Sequence, residues 1–122
     1  MTVKSTNMTW VSVENLDEAL KFYTETLGFK KLSISEEYGW AELQGEEGGS
    51  VVGLAVKNAQ NPIQPGNNGV LTLTVDNIHT SIEELKKKGV KLVGEMTEVP
   101  GHVKMQMLQD PCGNHLQLVE LL

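Results

Sequence analysis

Hydrophobic and polar residues alternate along several short segments of this chain and follow a helical period in two others. Met8–Val13 is rich in β-branched and aromatic residues, which predicts a strand. A helix is predicted to begin after an N-cap at Asn15 and to end at Gly28. Its apolar residues form one stripe at Leu16, Ala19, Leu20, Tyr23 and Leu27. Three further strands are predicted at Phe29–Ser35, Tyr38–Gln44 and Ser50–Val56.

The same order of elements then begins again. Val13-Glu-Asn-Leu16 matches Val75-Asp-Asn-Ile78 at an offset of 62 residues. The second set comprises a strand at Val70–Val75, a helix from Ile78 that ends at Gly89, and strands at Val90–Gly94, Val103–Leu108 and Asn114–Leu121. The predicted class is therefore α+β, with two tandem βαβββ modules in one domain of residues 1–122. The modules span about 7–57 and 70–122, joined by a polar linker over 58–69, and we expect their sheets to enclose a cleft.

Charge and composition narrow the classes of function. The net charge is −6, and the basic residues cluster only at Lys86–Lys88, where they complement the end of a predicted helix. This argues against nucleic acid as a partner, because phosphate binding needs a positive surface. No apolar run reaches the length of a membrane span, and the first residues lack the apolar core of a secretion signal. With a single cysteine, Cys112, the sequence predicts a cytoplasmic protein.

Two motifs resemble the vicinal-oxygen-chelate superfamily, which includes glyoxalases, bleomycin-resistance proteins and extradiol dioxygenases. Val13–Phe29 is similar to its opening pattern V-x-D-L-x-x-A-x-x-F-Y-x-x-x-L-G-F, and Leu108–Leu118 is similar to its closing hairpin D-P-x-G-N-x-x-x-L. The resemblance implies a partly open, eight-stranded, barrel-like cleft formed by the two modules. It also implies a homodimer, since members commonly pair their open sheets.

Enzymes of this superfamily hold a divalent metal with His, Glu or Gln on the first and last strands of each module. The matching positions here are Met8, Gly53, Val70 and Gln117. Only Gln117 offers a hard or borderline donor, so the resemblance, taken position by position, predicts neither a metal nor another cofactor. His102 and His115 lie on two arms of one predicted hairpin, with His115 opposite about Leu108. That pairing puts them on the order of 20 Å apart.

The aromatic residues offer a different kind of site. Trp10 shares strand parity with Met8, and Trp40 falls opposite about Ala55, on the face of Gly53. The two tryptophans either wall a cleft for a planar ligand or simply fill the core. Glu42, opposite Gly53 in this register, either binds a cation or acts as a general base. A slip of one residue would instead turn it to solvent.

The leading hypothesis is a metal-independent protein that binds or sequesters a small organic molecule. Its predicted ligand-binding cleft contains Met8, Trp10, Trp40, Glu42, Gly53, Val70 and Gln117. One alternative is a metal-dependent lyase, isomerase or dioxygenase, with Gln117 and Glu42 as the remaining polar groups. Another is a non-catalytic domain that binds a protein through an exposed sheet edge.

Overall fold

The computed structural model describes residues 2, 8–59, 61–66 and 69–122. The chain divides into two compact units, Met1–Pro65 and Gly66–Leu122. Residue 7, where the first predicted module begins, and residues 60, 67 and 68 of the predicted linker lie outside the described residues. The linker residues that are described between Val56 and Leu71 belong to no helix or strand.

The first unit is one βαβββ module. It contains β1 (Met8–Val13), α1 (Leu16–Lys21), β2 (Lys30–Ser35), β3 (Trp40–Gly45) and β4 (Gly48–Val56). The strands form one sheet in the order β1-β4-β3-β2, in which β1 runs parallel to β4 and the other neighbours are antiparallel. One face of this sheet packs against α1 and carries the core. Its fully buried strand residues are Val11, Val13, Ala41, Leu43 and Leu54.

The first helix is shorter than its apolar stripe predicts. Asn15 caps α1 by accepting a hydrogen bond from Glu18 N at 2.9 Å, as expected. After Lys21 the chain continues as a π-helical turn, Phe22–Thr26. The Thr24 hydroxyl donates to the Leu20 carbonyl at 2.7 Å, and Leu27 N donates to Phe22 O, five residues back. A side-chain hydroxyl thus competes for a helix carbonyl, and the local hydrogen bonds widen accordingly.

The second unit repeats the same order of elements. It contains β5 (Leu71–Thr74), α2 (Ile78–Lys87), β6 (Lys91–Val99), β7 (Val103–Gln109) and β8 (His115–Leu121), with the sheet order β5-β8-β7-β6. Asn77 caps α2 by accepting from Thr80 N at 3.0 Å, which matches the role of Asn15. The buried side of α2 consists of Ile78, Ile82 and Leu85. The predicted α+β class and the pair of βαβββ modules are confirmed.

A bulge makes β6 longer than the predicted Val90–Gly94. The register of β6 against β7 shifts between Val93 and Thr97, and Gly94 has a positive φ of 70°. Gln106 is buried on the neighbouring strand, and its amide lies 3.1 Å from the Gly94 carbonyl. This side chain therefore supplies a hydrogen bond to the backbone at the point where the ladder is irregular.

A buried polar cluster closes the hairpin between β7 and β8. The Asp110 carboxylate accepts from Cys112 N at 2.9 Å, from Asn114 N at 2.8 Å and from Asn114 Nδ2 at 2.8 Å. The Asn114 side-chain oxygen in turn accepts from Gly66 N at 2.6 Å. The Asp and Asn of the D-P-x-G-N motif therefore shape the turn and hold the first residue of this unit.

The shared cleft, the assignment of both modules to one domain and the homodimer stay predictions. Within the described ranges, no helix has the length and apolar character needed to cross a membrane.

Candidate ligand-binding site

The sheet of the first unit has a second face, opposite α1, that gathers most of the predicted site residues. Trp10 pairs with Gly53 across β1 and β4, and Glu42 pairs with Gly53 across β3 and β4. Trp40 pairs with Ala55, so the predicted register is present and Glu42 has not slipped to the other face. Met8 lies two residues before Trp10 on the same strand and is 36% exposed.

Trp40 is held across Gly53 by a hydrogen bond to Glu42. The indole Nε1 donates to Glu42 Oε2 at 2.9 Å. A Cβ at Gly53 would overlap Trp40 Cη2 and would lie 2.7 Å from Cζ2 and 2.9 Å from Trp10 Cβ. Gly53 is therefore the residue that lets the edge of the Trp40 ring approach the sheet, and both tryptophan side chains border it.

Next to Trp40 the surface forms a concavity of about 340 Å³ within the first unit. Its lining consists of Trp10, Tyr38, Trp40, Ala55, Val56, Asn58, Asn61, Pro62 and Ile63. Three of these apolar side chains stay open to solvent: Trp10 is 40%, Tyr38 74% and Ile63 40% exposed. None of the described residues that line the concavity carries a charge. The arrangement suits an apolar or aromatic group of a small molecule.

One wall of the concavity comes from the segment that follows β4. The buried Ser12 hydroxyl donates to Ile63 O at 2.7 Å and accepts from Asn61 Nδ2 at 3.1 Å. The Asn61 amide also lies within hydrogen-bonding distance of the Ala55 and Val56 carbonyls, at 3.3 and 3.2 Å. These bonds fix the segment on the second face of the sheet, and Ile63 is placed there with it.

The opposite wall comes from the turn between β2 and β3. Gly39 accepts from Val56 N at 2.8 Å through its carbonyl and has a positive φ of 62°. A Cβ at Gly39 would lie 3.0 Å from Val56 Cβ, so the turn lies close against β4. That close approach brings Tyr38 to the concavity beside Trp40.

Sequence reasoning missed Tyr38 and Ile63 as site residues. Tyr38 begins a predicted strand, and its even spacing from Trp40 is a usable signal, because residues two apart share a face. Ile63 is an apolar residue in a polar linker and follows a proline, which is a weaker signal. Its position depends on the hydrogen bonds of Ser12 and Asn61, which no local pattern encodes.

The two predicted site residues of the second unit, Val70 and Gln117, have no tryptophan at the position that matches Trp10. Val70 precedes β5 and is 50% exposed, so it falls just outside the strand predicted to contain it. Gln117 lies on β8 opposite Met107, and its side-chain oxygen is 3.4 Å from the Thr72 hydroxyl. Where the first unit has Trp10 facing Gly53, this unit has Thr72 facing Gln117.

The pairing predicted for His115 is wrong by one residue. His115 lies opposite Gln109, with 3.3 Å between the Nε2 atoms of the two side chains, and Leu108 pairs with Leu116. The hairpin closes between Asp110 and Asn114, because Asp110 N donates to Asn114 O at 3.0 Å. His102 directly precedes β7, at the end of that strand remote from the hairpin turn, and its carbonyl accepts from Leu122 N at 2.9 Å.

The motifs, the repeat and the fold agree with a comparison against protein families. The model of the Glyoxalase/Bleomycin resistance protein/Dioxygenase superfamily matches residues 5–118. The chain belongs to this superfamily. The uncharacterized protein YurT of Bacillus subtilis is 32% identical in an alignment 123 residues long. The alignment covers 93% of this chain and 96% of YurT.

Several solved structures share the fold over nearly the whole chain. TnmS3, an antibiotic binding protein from Streptomyces sp. CB03234, superimposes with a TM-score of 0.82 at 24% identity, covering 100% of this chain and 99% of that protein. A member from Sphaerobacter thermophilus gives 0.83 at 23% identity, with 97% and 98% covered. A glyoxalase/bleomycin resistance protein, also from Streptomyces sp. CB03234, gives 0.76 at 26% identity, with 93% and 98% covered.

The residues at the superfamily's usual metal positions do not fit a divalent ion. Met8 offers a thioether, Gly53 and Val70 offer no side-chain donor, and only Gln117 offers a hard or borderline donor. At Gly53 the edge of the Trp40 ring lies where a side chain would begin. Among the described residues, no group of three or more His, Cys, Asp or Glu side chains could hold a metal.

Proposed function

We propose that this chain binds or sequesters a small organic molecule, without a metal, on the aromatic face of its first unit. The observation that carries the proposal is the uncharged concavity of about 340 Å³ between Trp10, Tyr38 and Trp40. Its size is at the lower end of the range typical of small-molecule sites, and its apolar lining is typical of them. Trp10 and Tyr38 remain open to solvent instead of filling the core.

The rigidity of Trp40 supports a binding role for this surface. The ring is held by the bond to Glu42 and lies against the backbone at Gly53. A fixed aromatic wall loses little conformational entropy when a ligand stacks on it, so more of the contact energy contributes to affinity. TnmS3, an antibiotic binding protein, is an example of this fold with a small-molecule ligand. The proposal for this chain rests on its own aromatic lining.

The enzymatic alternative has less support from the geometry. Its two remaining polar groups are Gln117 and Glu42, and Glu42 already accepts the Trp40 indole N–H at 2.9 Å. A general base needs a carboxylate oxygen that is directed at the substrate proton. The hydrogen bond to Trp40 occupies Oε2 of Glu42 and holds that oxygen toward the indole.

Binding is expected to depend on the tryptophans and can be measured with N-phenylnaphthylamine, an uncharged dye whose emission rises in apolar surroundings. The unaltered protein should bind the dye saturably, and Trp40→Leu should weaken binding about tenfold through loss of stacking area. Trp10→Leu should act in the same direction. Val99→Ser, which changes an apolar residue of the second unit that is 44% exposed, is the matched control and should leave the affinity unchanged. Equal binding by Trp40→Leu and the unaltered protein would contradict the proposal.

Metal independence is expected to appear in thermal unfolding. Dialysis against EDTA should leave the unfolding midpoint unchanged, and added Ni²⁺, Zn²⁺, Mn²⁺ or Fe²⁺ should not raise it, since a ligand raises the midpoint only when it binds the folded state preferentially. Elemental analysis of the purified chain should find no metal in stoichiometric amount. One tightly bound equivalent per chain with a raised midpoint would overturn this part of the proposal.

A further inference from the structure

We infer that the concavity between Trp10, Tyr38 and Trp40 recognises a methylated ammonium group on its ligand. The inference rests on the proposed function and specifies the chemical class of the molecule bound. Its basis is the combination of three aromatic side chains around one opening with a carboxylate bonded to one of the rings. Aromatic faces carry a negative potential, which attracts cations that lie above them.

The bond between Glu42 and Trp40 strengthens this attraction. A carboxylate that accepts the indole N–H at 2.9 Å polarises that bond and pushes electron density into the ring. The face of Trp40 then becomes more negative, and tryptophan is already the best of the aromatic side chains for binding a cation. Glu42 thus acts on the ligand through Trp40, as a positioning residue.

The charges around the opening favour the same class of ligand. Residues 1–65 carry nine acidic and five basic side chains, a net of −4. Glu36 and Glu37 directly precede Tyr38 in the turn, and both are exposed. Lys57, next to the lining residue Asn58, has its ammonium group 2.8 Å from Gln64 Oε1. The rim near Tyr38 is therefore acidic, and a cation approaching it is attracted.

The polar groups in the lining distinguish a methylated ammonium from a primary one. A primary ammonium needs hydrogen-bond acceptors for three N–H groups. The side-chain oxygens of Asn58 and Asn61 already accept from Asn61 N at 3.0 Å and Ile63 N at 3.2 Å, so each keeps at most one lone pair for a ligand, fewer in total than three N–H groups need. Methyl groups need no acceptor and pack well on aromatic and aliphatic walls, so the lining matches a methylated cation.

The test compares choline with dimethylbutanol, an isostere in which an uncharged tert-butyl group replaces the trimethylammonium group. Binding is followed by NMR titration of the tryptophan indole N–H signals. Choline is expected to bind about fivefold more tightly than dimethylbutanol. Ethanolamine, with a primary ammonium, should bind more weakly than choline.

Glu42→Gln keeps an oxygen that can accept the indole N–H but removes the charge. The preference for choline over dimethylbutanol should fall about threefold in this variant. Glu47→Gln makes the same charge change at an exposed position in the turn between β3 and β4 and should leave the preference intact.

The possible failures are distinguishable. Dimethylbutanol binding as tightly as choline would overturn the inference and leave the proposed function standing. Binding of the dye without any binding of choline would have the same meaning. If N-phenylnaphthylamine also fails to bind, the proposed function falls together with the inference.

Discussion

Gly53→Ala should destabilise the protein by about 1–3 kcal/mol and displace Trp40 from its position. An alanine in place of glycine within a strand ordinarily stabilises it, because less backbone entropy is lost on folding. Here the new methyl group would overlap the Trp40 ring and would also lie 2.9 Å from Trp10 Cβ. The steric conflict outweighs the entropy gain, and the ring can relieve it only by moving, which strains or breaks its bond to Glu42.

A double-mutant cycle gives the sharpest measurement of this effect. Urea unfolding of Gly53→Ala, Trp40→Leu and the double variant should show that Gly53→Ala costs less when Trp40 is absent, with a coupling of about 1–2 kcal/mol. Gly69→Ala is the matched control, because a Cβ there meets no atom within 4 Å. An equal cost of Gly53→Ala in both backgrounds would show that the ring does not depend on the glycine.

Asn114→Ala should lower the free energy of unfolding by about 2–4 kcal/mol. Its side chain is 1% exposed, accepts from Gly66 N at 2.6 Å and donates to Asp110 Oδ2 at 2.8 Å. Alanine removes the amide oxygen and the amide nitrogen together, so Gly66 N and Asp110 Oδ2 each lose a hydrogen bond. Each buried polar group that loses a bond costs about 1–3 kcal/mol.

Urea unfolding of the full chain also measures this effect. Gln44→Ala serves as its control, since it removes a solvent-accessible amide that donates to Gly49 O at 2.8 Å and should cost below about 1 kcal/mol. Similar costs for the two variants would mean that the buried cluster contributes no more than a surface hydrogen bond. The role assigned to the D-P-x-G-N motif would then be wrong.

The sequence predicted the register of β3 against β4 because alternation and a short turn suffice to set it. Trp40 opposite Ala55 and Glu42 opposite Gly53 follow from counting residues across the turn at Glu46–Gly49. Trp10 was placed only by its parity with Met8, and its position opposite Gly53 depends on the parallel pairing of β1 with β4, which the sequence did not predict.

Other features were beyond sequence reasoning because they depend on contacts between distant residues. Ile63 is bonded through its carbonyl to the Ser12 hydroxyl, 51 residues away, and the irregular part of β6 is bonded through Gly94 to the Gln106 amide. The one-residue error at His115 arose because the Asp110 carboxylate organises the turn through two backbone N–H groups. The apolar stripe likewise gives no sign of the π-helical turn, in which the Thr24 hydroxyl donates to the Leu20 carbonyl.

The shared location of Trp10 and Trp40 has an optical consequence. They are the only two tryptophans in the chain, and both line the same concavity. Nearly all of the near-ultraviolet emission of the protein therefore originates at this one place. A bound compound that absorbs in that band would quench the tryptophan emission by resonance energy transfer. Ligand binding can therefore be followed on the unlabelled protein. By the same reasoning, photochemical damage would concentrate where the ligand sits.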